Sequence, residues 1–176
     1  MPLENAYPEL PSMPFERTTV PMAQVIAYMQ GLDAPVEQKR SAYVVFRNES
    51  ANGNSGINNN YVGAQADGAR WPPEFDAKIV GTVTMPENQT GRERIFVAFS
   101  SFSDSVDFLI NRVAERGLYV GGTTHLVLTM QVNDQNDLAR AYYKEWVTGS
   151  PDAEPDDQVL ASFLSMYGQA ASLFTT

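Results

Sequence analysis

The strongest constraint on the fold is a pair of strand-forming runs in the middle of the chain. Residues 78–84 and 92–99 are rich in β-branched and aromatic side chains, and residues 86–91 between them have a turn-forming composition that includes proline, asparagine and glycine. This pattern predicts a β-hairpin. Because an isolated hairpin is only marginally stable in water, we expect it to pack against helices.

The apolar residues outside the hairpin recur mostly with helical spacing. The predicted helices cover approximately residues 21–30, 34–49, 101–116, 134–148 and 156–173. Suitable N-caps are Asp33, Asp134 and Asp156, and suitable stops are Gly31, Gly117 and Gly149. The pattern therefore predicts an α+β protein, mainly α, with one inserted β-hairpin.

The length and composition predict one globular domain. The chain has 176 residues, 43% of them apolar and 19% charged, which is ordinary for a globular protein with a sizeable core. Residues 1–20 are rich in proline and show no period, which predicts an extended N-terminal arm. We assign residues 21–176 to a single domain.

The charge balance excludes several classes of partner. The chain has 12 Lys and Arg against 21 Asp and Glu, a net charge of −9, whereas binding to a nucleic-acid backbone or an anionic membrane requires surplus positive charge. No apolar run is long enough to span a bilayer. The first residues lack a basic segment followed by an apolar run, so we expect synthesis in the cytoplasm without a signal peptide.

The cysteine and histidine counts limit the possible chemistry. The sequence has no cysteine and one histidine, which excludes disulfides, zinc–thiolate sites and thiol nucleophiles and disfavours histidine-rich metal sites. We therefore expect neither a metal nor a cofactor.

Glu49 is the candidate catalytic residue. It ends a predicted helix that contains four consecutive apolar residues, Tyr43–Phe46, and a helix C-terminus disfavours a carboxylate. A negative helix end raises the pKa of a carboxyl group, and partial desolvation would raise it further. A raised pKa is what a glycosidase general acid requires. The alternative is a solvated helix-terminal glutamate with no role in chemistry.

An Asn-, Ser- and Gly-rich segment follows Glu49. Residues 50–60 combine the residue types that form turns through hydrogen bonds between side chain and backbone. Because the segment lies between a buried helix and the sequence Tyr61-Val62-Gly63-Ala64-Gln65, we predict an ordered loop that lines a site.

These segments together resemble peptidoglycan-cleaving enzymes of the lysozyme-like superfamily. Glu49-Ser50 at a helix end, followed by Asn60-Tyr61-Val62-Gly63-Ala64-Gln65, is similar to their Glu-Ser and Asn-(Leu/Tyr)-Phe-Gly-Ile-(Lys/Gln) segments, although Val62 and Ala64 depart from that pattern. Residues 96–109 and 116–119 are similar to the N-acetylglucosaminidases of glycoside hydrolase family 73. The resemblance covers about residues 35–125.

The resemblance implies a lysozyme-like domain that hydrolyses the glycan strand of peptidoglycan, with Glu49 as general acid. The family's second acid lies on the first hairpin strand, near residues 83–85, where this chain has none. Asp67 is the favoured substitute because it follows the segment that would line the cleft. Other nearby acids are Glu74, Asp76 and Glu87. Alternatively, the substrate's own N-acetyl group replaces a protein nucleophile.

Sugar binding requires flat aromatic faces and amides. Tyr61, Trp71 and Tyr119 are the aromatic candidates, and Asn60 and Gln65 are the amide candidates. For Trp71 and Tyr119, packing in the core is an equally good interpretation.

Three functions stay open at the level of the sequence. The chain is an N-acetylglucosaminidase, or it is a muramidase or lytic transglycosylase, or it is a non-catalytic wall-binding or structural protein with this fold. The chain also resembles the glycoside hydrolase effectors of type VI secretion systems. That resemblance implies action in a competitor's periplasm and an immunity protein that occludes the cleft.

Overall fold

Helices form most of the regular structure. The computed structural model describes residues 3–87 and 90–176. The α-helices are α1 (Met22–Gly31), α2 (Val36–Glu49), α3 (Phe102–Glu115), α4 (Gln135–Tyr142) and α5 (Asp157–Leu173). The strands are β1 (Arg17–Thr18), β2 (Gly56–Ile57), β3 (Ile79–Pro86) and β4 (Glu93–Phe99). A 3₁₀ turn at Pro73–Phe75 and a π-helical turn at Tyr143–Thr148 complete the regular elements within the described ranges.

The predicted α+β class is confirmed, with more residues in helices than in strands, and the predicted hairpin is confirmed as well. Strands β3 and β4 pair antiparallel from Ile79 opposite Phe99 to Pro86 opposite Glu93, with an irregularity between Ile79 and Gly81. The predicted turn at residues 86–91 is described only in part, because Asn88 and Gln89 lie outside the described residues. No helix in the described ranges is both long and apolar enough to cross a membrane.

The chain divides into two compact units. The first comprises Met1–Val25 and Phe46–Phe108, and the second comprises Ile26–Val45 and Leu109–Thr176. The first unit therefore contains the N-terminal arm, the Asn-rich loop and the hairpin. The assignment of residues 21–176 to one domain stays a prediction.

Two of the predicted caps, Asp134 and Asp156, form at the helix starts, whereas Asp33 stays a prediction. The carboxylate of Asp134 accepts hydrogen bonds from the N–H groups of Asn136 and Asp137 before α4, and Asp156 accepts one from Val159 in α5. One difference is local: the helix predicted over residues 134–148 is α-helical only to Tyr142 and then widens into the π-helical turn. Hydrophobic periodicity does not distinguish these two windings over so short a stretch.

The N-terminal arm is less irregular than the sequence predicts. Strand β1 pairs antiparallel with β2, and the Met13 N–H and Thr82 O are 2.7 Å apart where the arm runs beside the hairpin. These pairings are long-range, and two-residue strands leave no periodic pattern in the sequence.

The first unit has an aromatic core. Phe108, in the part of α3 that belongs to this unit, contacts Trp71, Phe75 and Phe99 with ring centroids 4.8, 5.2 and 5.6 Å apart. Lys78 at the start of the hairpin forms an ion pair with Asp107. The distance between Lys78 Nζ and Asp107 Oδ2 is 2.5 Å. The hairpin is thus packed on a helix, as its marginal stability in isolation requires.

The second unit is held by buried apolar side chains and a few polar links. Its core includes Met29, Leu138 and Phe163. The Ser41 hydroxyl donates to the Leu118 carbonyl at 2.6 Å. Burial, together with the Glu37 carboxylate, raises the pKa of Tyr167.

Gly53 joins the arm to the Asn-rich loop where a side chain does not fit. Its φ is +82°, and a Cβ there would lie 2.1 Å from the Val20 carbonyl oxygen, which is backbone and cannot move away easily. We expect Gly53→Ala to lower the free energy of unfolding by more than about 2 kcal/mol, since backbone strain and a steric clash add. Urea denaturation followed by circular dichroism measures this.

Gly91→Ala is the matched control. Gly91 also has a positive φ, +66°, but no atom of the described residues, apart from its two chain neighbours, lies within 4 Å of the Cβ position. We expect a loss of only about 1–2 kcal/mol there. Equal losses for the two variants would show that the approach of Val20 to Gly53 does not matter.

Candidate active site

The end of helix α2 is tied to the loop that follows it by Ser50. This side chain is completely buried; its hydroxyl donates to the Phe46 carbonyl at 2.5 Å and accepts from the Gly53 N–H at 2.8 Å. The Ser of the Glu-Ser pair is therefore structural. It fixes the direction in which the chain leaves the helix at Glu49.

The loop requires its unusual composition. Ala51, Asn52, Asn58 and Asn59 all have positive φ, between 48° and 60°. Asparagine tolerates this left-handed conformation better than most residues, so the asparagine-rich sequence fits the backbone path. The predicted ordered loop is confirmed by these turns and by strand β2 within it.

The arm holds the loop through Asn58. The Asn58 carboxamide oxygen accepts from the Glu16 N–H at 2.9 Å, and its NH₂ donates to the Pro14 carbonyl at 3.1 Å. Next to it, the Thr18 hydroxyl accepts from the Asn59 N–H at 3.0 Å. Residues 14–18 are therefore part of the site's framework.

Asn60 fixes the segment that follows. It is 5% exposed, and its NH₂ donates to the carbonyls of Ala64 and Val97, both at 2.9 Å. Its oxygen accepts from the N–H groups of Val62 and Ala64 at 3.3 and 3.1 Å. All of these partners are backbone, so the Asn60 amide organises this part of the protein, and its role in sugar binding stays a prediction.

A pocket of about 190 Å³ opens beside Glu49. Its lining consists of Glu49, Ser55, Ile57, Asn60, Tyr61, Gly63 and Phe96. All of these residues belong to the first unit. Glu49 is exposed, whereas the sequence argument allowed for partial desolvation. Among the described lining residues Glu49 is the one carboxylate.

Tyr61 forms a wall of this pocket and offers little free surface. The residue is 2% exposed, its ring lies 5.5 Å from that of Phe46, and its N–H donates to the Ser105 hydroxyl at 3.0 Å. Burial raises the pKa of Tyr61 despite a hydrogen bond with the Thr18 side chain. Little of the Tyr61 surface is open to solvent, and the binding of a sugar by this ring stays a prediction.

Asp67 and Gln65 both bind Arg94. The Arg94 Nε donates to the Asp67 carboxylate at 2.5 Å, and its Nη2 donates to the Gln65 side-chain oxygen. Burial alone raises the pKa of Asp67, but the hydrogen bond and charge of Arg94, with the Ile95 N–H, outweigh it and lower the pKa below its usual value. An ionised Asp67 suits a structural ion pair or a base better than an acid.

Trp71 and Tyr119 are not among the described lining residues of the pocket. The Trp71 indole N–H donates to the Gln65 carbonyl at 2.7 Å, and its ring packs on Phe108, which agrees with the core interpretation. Tyr119 belongs to the second unit. The described lining therefore includes Glu49, Asn60 and Tyr61 and does not include Gln65, Asp67, Trp71 or Tyr119. The roles of all seven stay predictions.

The lining residues Ser55, Ile57 and Gly63 lie in segments that the sequence predicts to line a site, although they are not predicted individually, and Phe96 is not predicted at all. Phe96 lies on β4 and reaches the site because Gln65 forms an antiparallel bridge with it. Ser55 and Ile57 could have been found from their place in the predicted loop. The position of Phe96 depends on a long-range pairing that the sequence does not reveal.

Comparison with known proteins adds little. No protein-family model matches the chain, and no curated protein matches it. A crystal structure of a peptidoglycan hydrolase mutant from Sphingomonas sp. A1 is similar at 17% identity over 90% of this chain and 95% of that chain, with a TM-score of 0.39. A TM-score this low supports no assignment of fold or activity, and the lysozyme-like architecture stays a prediction.

Within residues 3–87 and 90–176, no three His, Asp or Glu side chains are grouped so that they could hold a metal ion.

The Asp67–Arg94 pair makes stability depend on pH. Because the folded-state pKa of Asp67 is lowered, its stabilisation is complete above the unfolded pKa of about 4 and disappears as pH falls through the folded value. We expect Asp67→Asn to cost about 1.5–3 kcal/mol near pH 7 and less near pH 2.5. Urea denaturation at the two pH values measures this.

Glu87→Gln is the control on the same arginine. Glu87 lies 3.7 Å from Arg94 and its side chain is 38% exposed, compared with 4% for Asp67. We expect its loss to cost less than about 0.5 kcal/mol. If Asp67→Asn were equally mild at neutral pH, the ion pair would not be a stabilising element.

Proposed function

We propose that the protein hydrolyses the glycan strand of peptidoglycan, as an N-acetylglucosaminidase, with Glu49 as general acid. The observation that carries the proposal is the pocket itself: a carboxyl group at the end of a helix, in a concave site with Tyr61 and Phe96 in its walls. The resemblance of the segments around Glu49 and Asn60 to peptidoglycan-cleaving enzymes supports the substrate.

The chemistry needs one proton donor at the scissile oxygen. A protonated Glu49 gives its proton to the glycosidic oxygen as the bond between C1 and that oxygen breaks. Water then adds to C1, and the proton that this water loses goes to the Glu49 carboxylate. Because Glu49 is exposed in the free protein, water must be excluded by the glycan that fills the pocket.

The described lining residues include one carboxylate, whereas a two-acid glycosidase has two. This favours a mechanism in which the acetamido oxygen of the substrate attacks C1 and stabilises the developing positive charge. It equally favours a lytic transglycosylase, in which a substrate hydroxyl attacks C1 in place of water and leaves an anhydro end. The products distinguish the two.

Removing the proton donor tests the proposal. We expect Glu49→Gln to slow the release of dye from labelled sacculi by about 100-fold or more, since a positioned general acid typically contributes that much. Gln keeps the size and hydrogen-bonding shape of the side chain, so the fold is retained. Circular dichroism confirms this.

Glu93→Gln is the matched control, because Glu93 is an exposed glutamate of the same unit outside the described pocket lining. It should keep full activity. Rates that are equal for the parent and for Glu49→Gln would refute the catalytic role and favour a non-catalytic wall-binding or structural protein.

We further propose that the protein is an antibacterial effector that acts in the periplasm of a competitor and is held inactive by an immunity protein over the pocket. What supports this is the charge: a protein of net charge −9 gains nothing from long-range attraction to an anionic wall, but its field accelerates capture by a basic partner.

The salt dependence of association tests the partner. With the product of a small neighbouring gene as candidate, we expect the association rate to fall by about tenfold or more between about 0.05 and 0.5 M salt, because electrostatic steering is screened. Stopped-flow fluorescence measures the rate. A rate that ignores salt would contradict a basic partner surface.

A further inference from the structure

The pocket beside Glu49 is small for the ligand we propose. Ligand sites of ordinary size enclose roughly 300–1,000 Å³, whereas this pocket has about 190 Å³. A glycan strand therefore extends beyond it, and the residues at its rim determine which strand is accepted.

The N-terminal arm supplies a cation at that rim. Arg17 Nη1 donates to the hydroxyl of Ser55 at 2.6 Å, and Ser55 lines the pocket with Glu49. Strand pairing fixes the position, since Arg17 in β1 is opposite Ile57, another lining residue. The guanidinium is thus attached to the pocket wall.

Arg17 differs from most cations of this acidic chain. Arg40, Arg70, Lys78, Arg94, Arg140 and Lys144 all form ion pairs with carboxylates. In the part of the chain that the structure describes, Arg17 has no such partner, and Ser55 is its one side-chain hydrogen-bond acceptor. Donors of the guanidinium remain for a ligand.

Phe15 lies beside Arg17 on the arm. Residues two apart on an extended chain project to the same side, and the Arg17 guanidinium carbon is 5.7 Å from the Phe15 ring centroid. The Phe15 side chain is 51% exposed. An open aromatic surface next to a cation suits the apolar side of a sugar ring together with an anionic substituent.

We propose that Phe15 and Arg17 form a subsite at the rim of the Glu49 pocket that binds a carboxylate of the glycan substrate, with Arg17 as the specificity-determining residue. This rests on the proposed function. In peptidoglycan such a carboxylate comes from the lactyl group of a peptide-free muramic acid or from the stem peptide. A neutral glycan without carboxylates would lose the contact.

Binding to the Glu49→Gln protein tests this without turnover. Three ligands are titrated by calorimetry: glycan fragments with free lactyl carboxylates, the same fragments with those carboxyl groups reduced to alcohols, and fragments that carry stem peptides. We expect at least one carboxylate form to bind about five- to tenfold more tightly than the reduced form. Which form does so identifies the source of the carboxylate.

Adding Arg17→Gln should reduce this preference to less than about twofold, and Arg17→Lys should keep part of it because the charge remains. Arg92→Gln removes one positive charge from another exposed position of the same unit and should leave the preference intact. If Arg17→Gln weakened all three ligands alike, Arg17 would be only a support for the loop. That result would overturn the subsite. So would a Glu49→Gln protein that shows no carboxylate preference, or one that binds none of the three ligands.

The outcomes separate this proposal from the proposed function. A carboxylate preference that depends on Arg17, combined with equal sacculus clearance by the parent and by Glu49→Gln, would retain the subsite and reject the catalytic role of Glu49. Loss of sacculus clearance in Glu49→Gln, combined with no carboxylate preference in binding, would retain the catalytic role of Glu49 and reject the subsite.

Discussion

The candidate site depends on the buried amide of Asn60. Its hydrogen bonds reach the carbonyls of Ala64 and Val97, which join the segment after the Asn-rich loop to strand β4. The antiparallel bridge between Gln65 and Phe96 connects the same two segments and positions Phe96 in the pocket wall. An apolar residue at position 60 would leave backbone groups on both sides unpaired, a cost of about 1–3 kcal/mol for each buried group.

The second support is the N-terminal arm. Its β1 strand pairs with β2, Val20 lies against Gly53, and Thr18 accepts a hydrogen bond from Asn59. Residues with positive φ are held in the loop by these contacts, so the loop keeps one conformation despite its turn-rich composition. An arm that looks irregular in sequence thus positions the Ser55 and Ile57 walls of the pocket.

The sequence predicts local structure well here and long-range structure poorly. The helix ends follow from caps such as Asp134 and stops such as Gly149, because a cap depends only on neighbours in the chain. Glu49 is found in the same way, at a helix end before a turn-rich loop. The pairing of Arg17 with Ile57 and the burial of Asn60 and Tyr61 depend on tertiary packing. The sequence does not distinguish an asparagine whose amide binds the backbone from one whose amide binds a sugar.

The central claim is that this chain cleaves a glycosidic bond of the peptidoglycan strand. Mass spectrometry of the soluble fragments released from purified sacculi, after borohydride reduction of their new ends, tests it most directly. We expect fragments that end in reduced N-acetylglucosamine. Reduced muramic acid or anhydro ends would move the cut to the other bond, and the absence of any glycan fragment would contradict the claim.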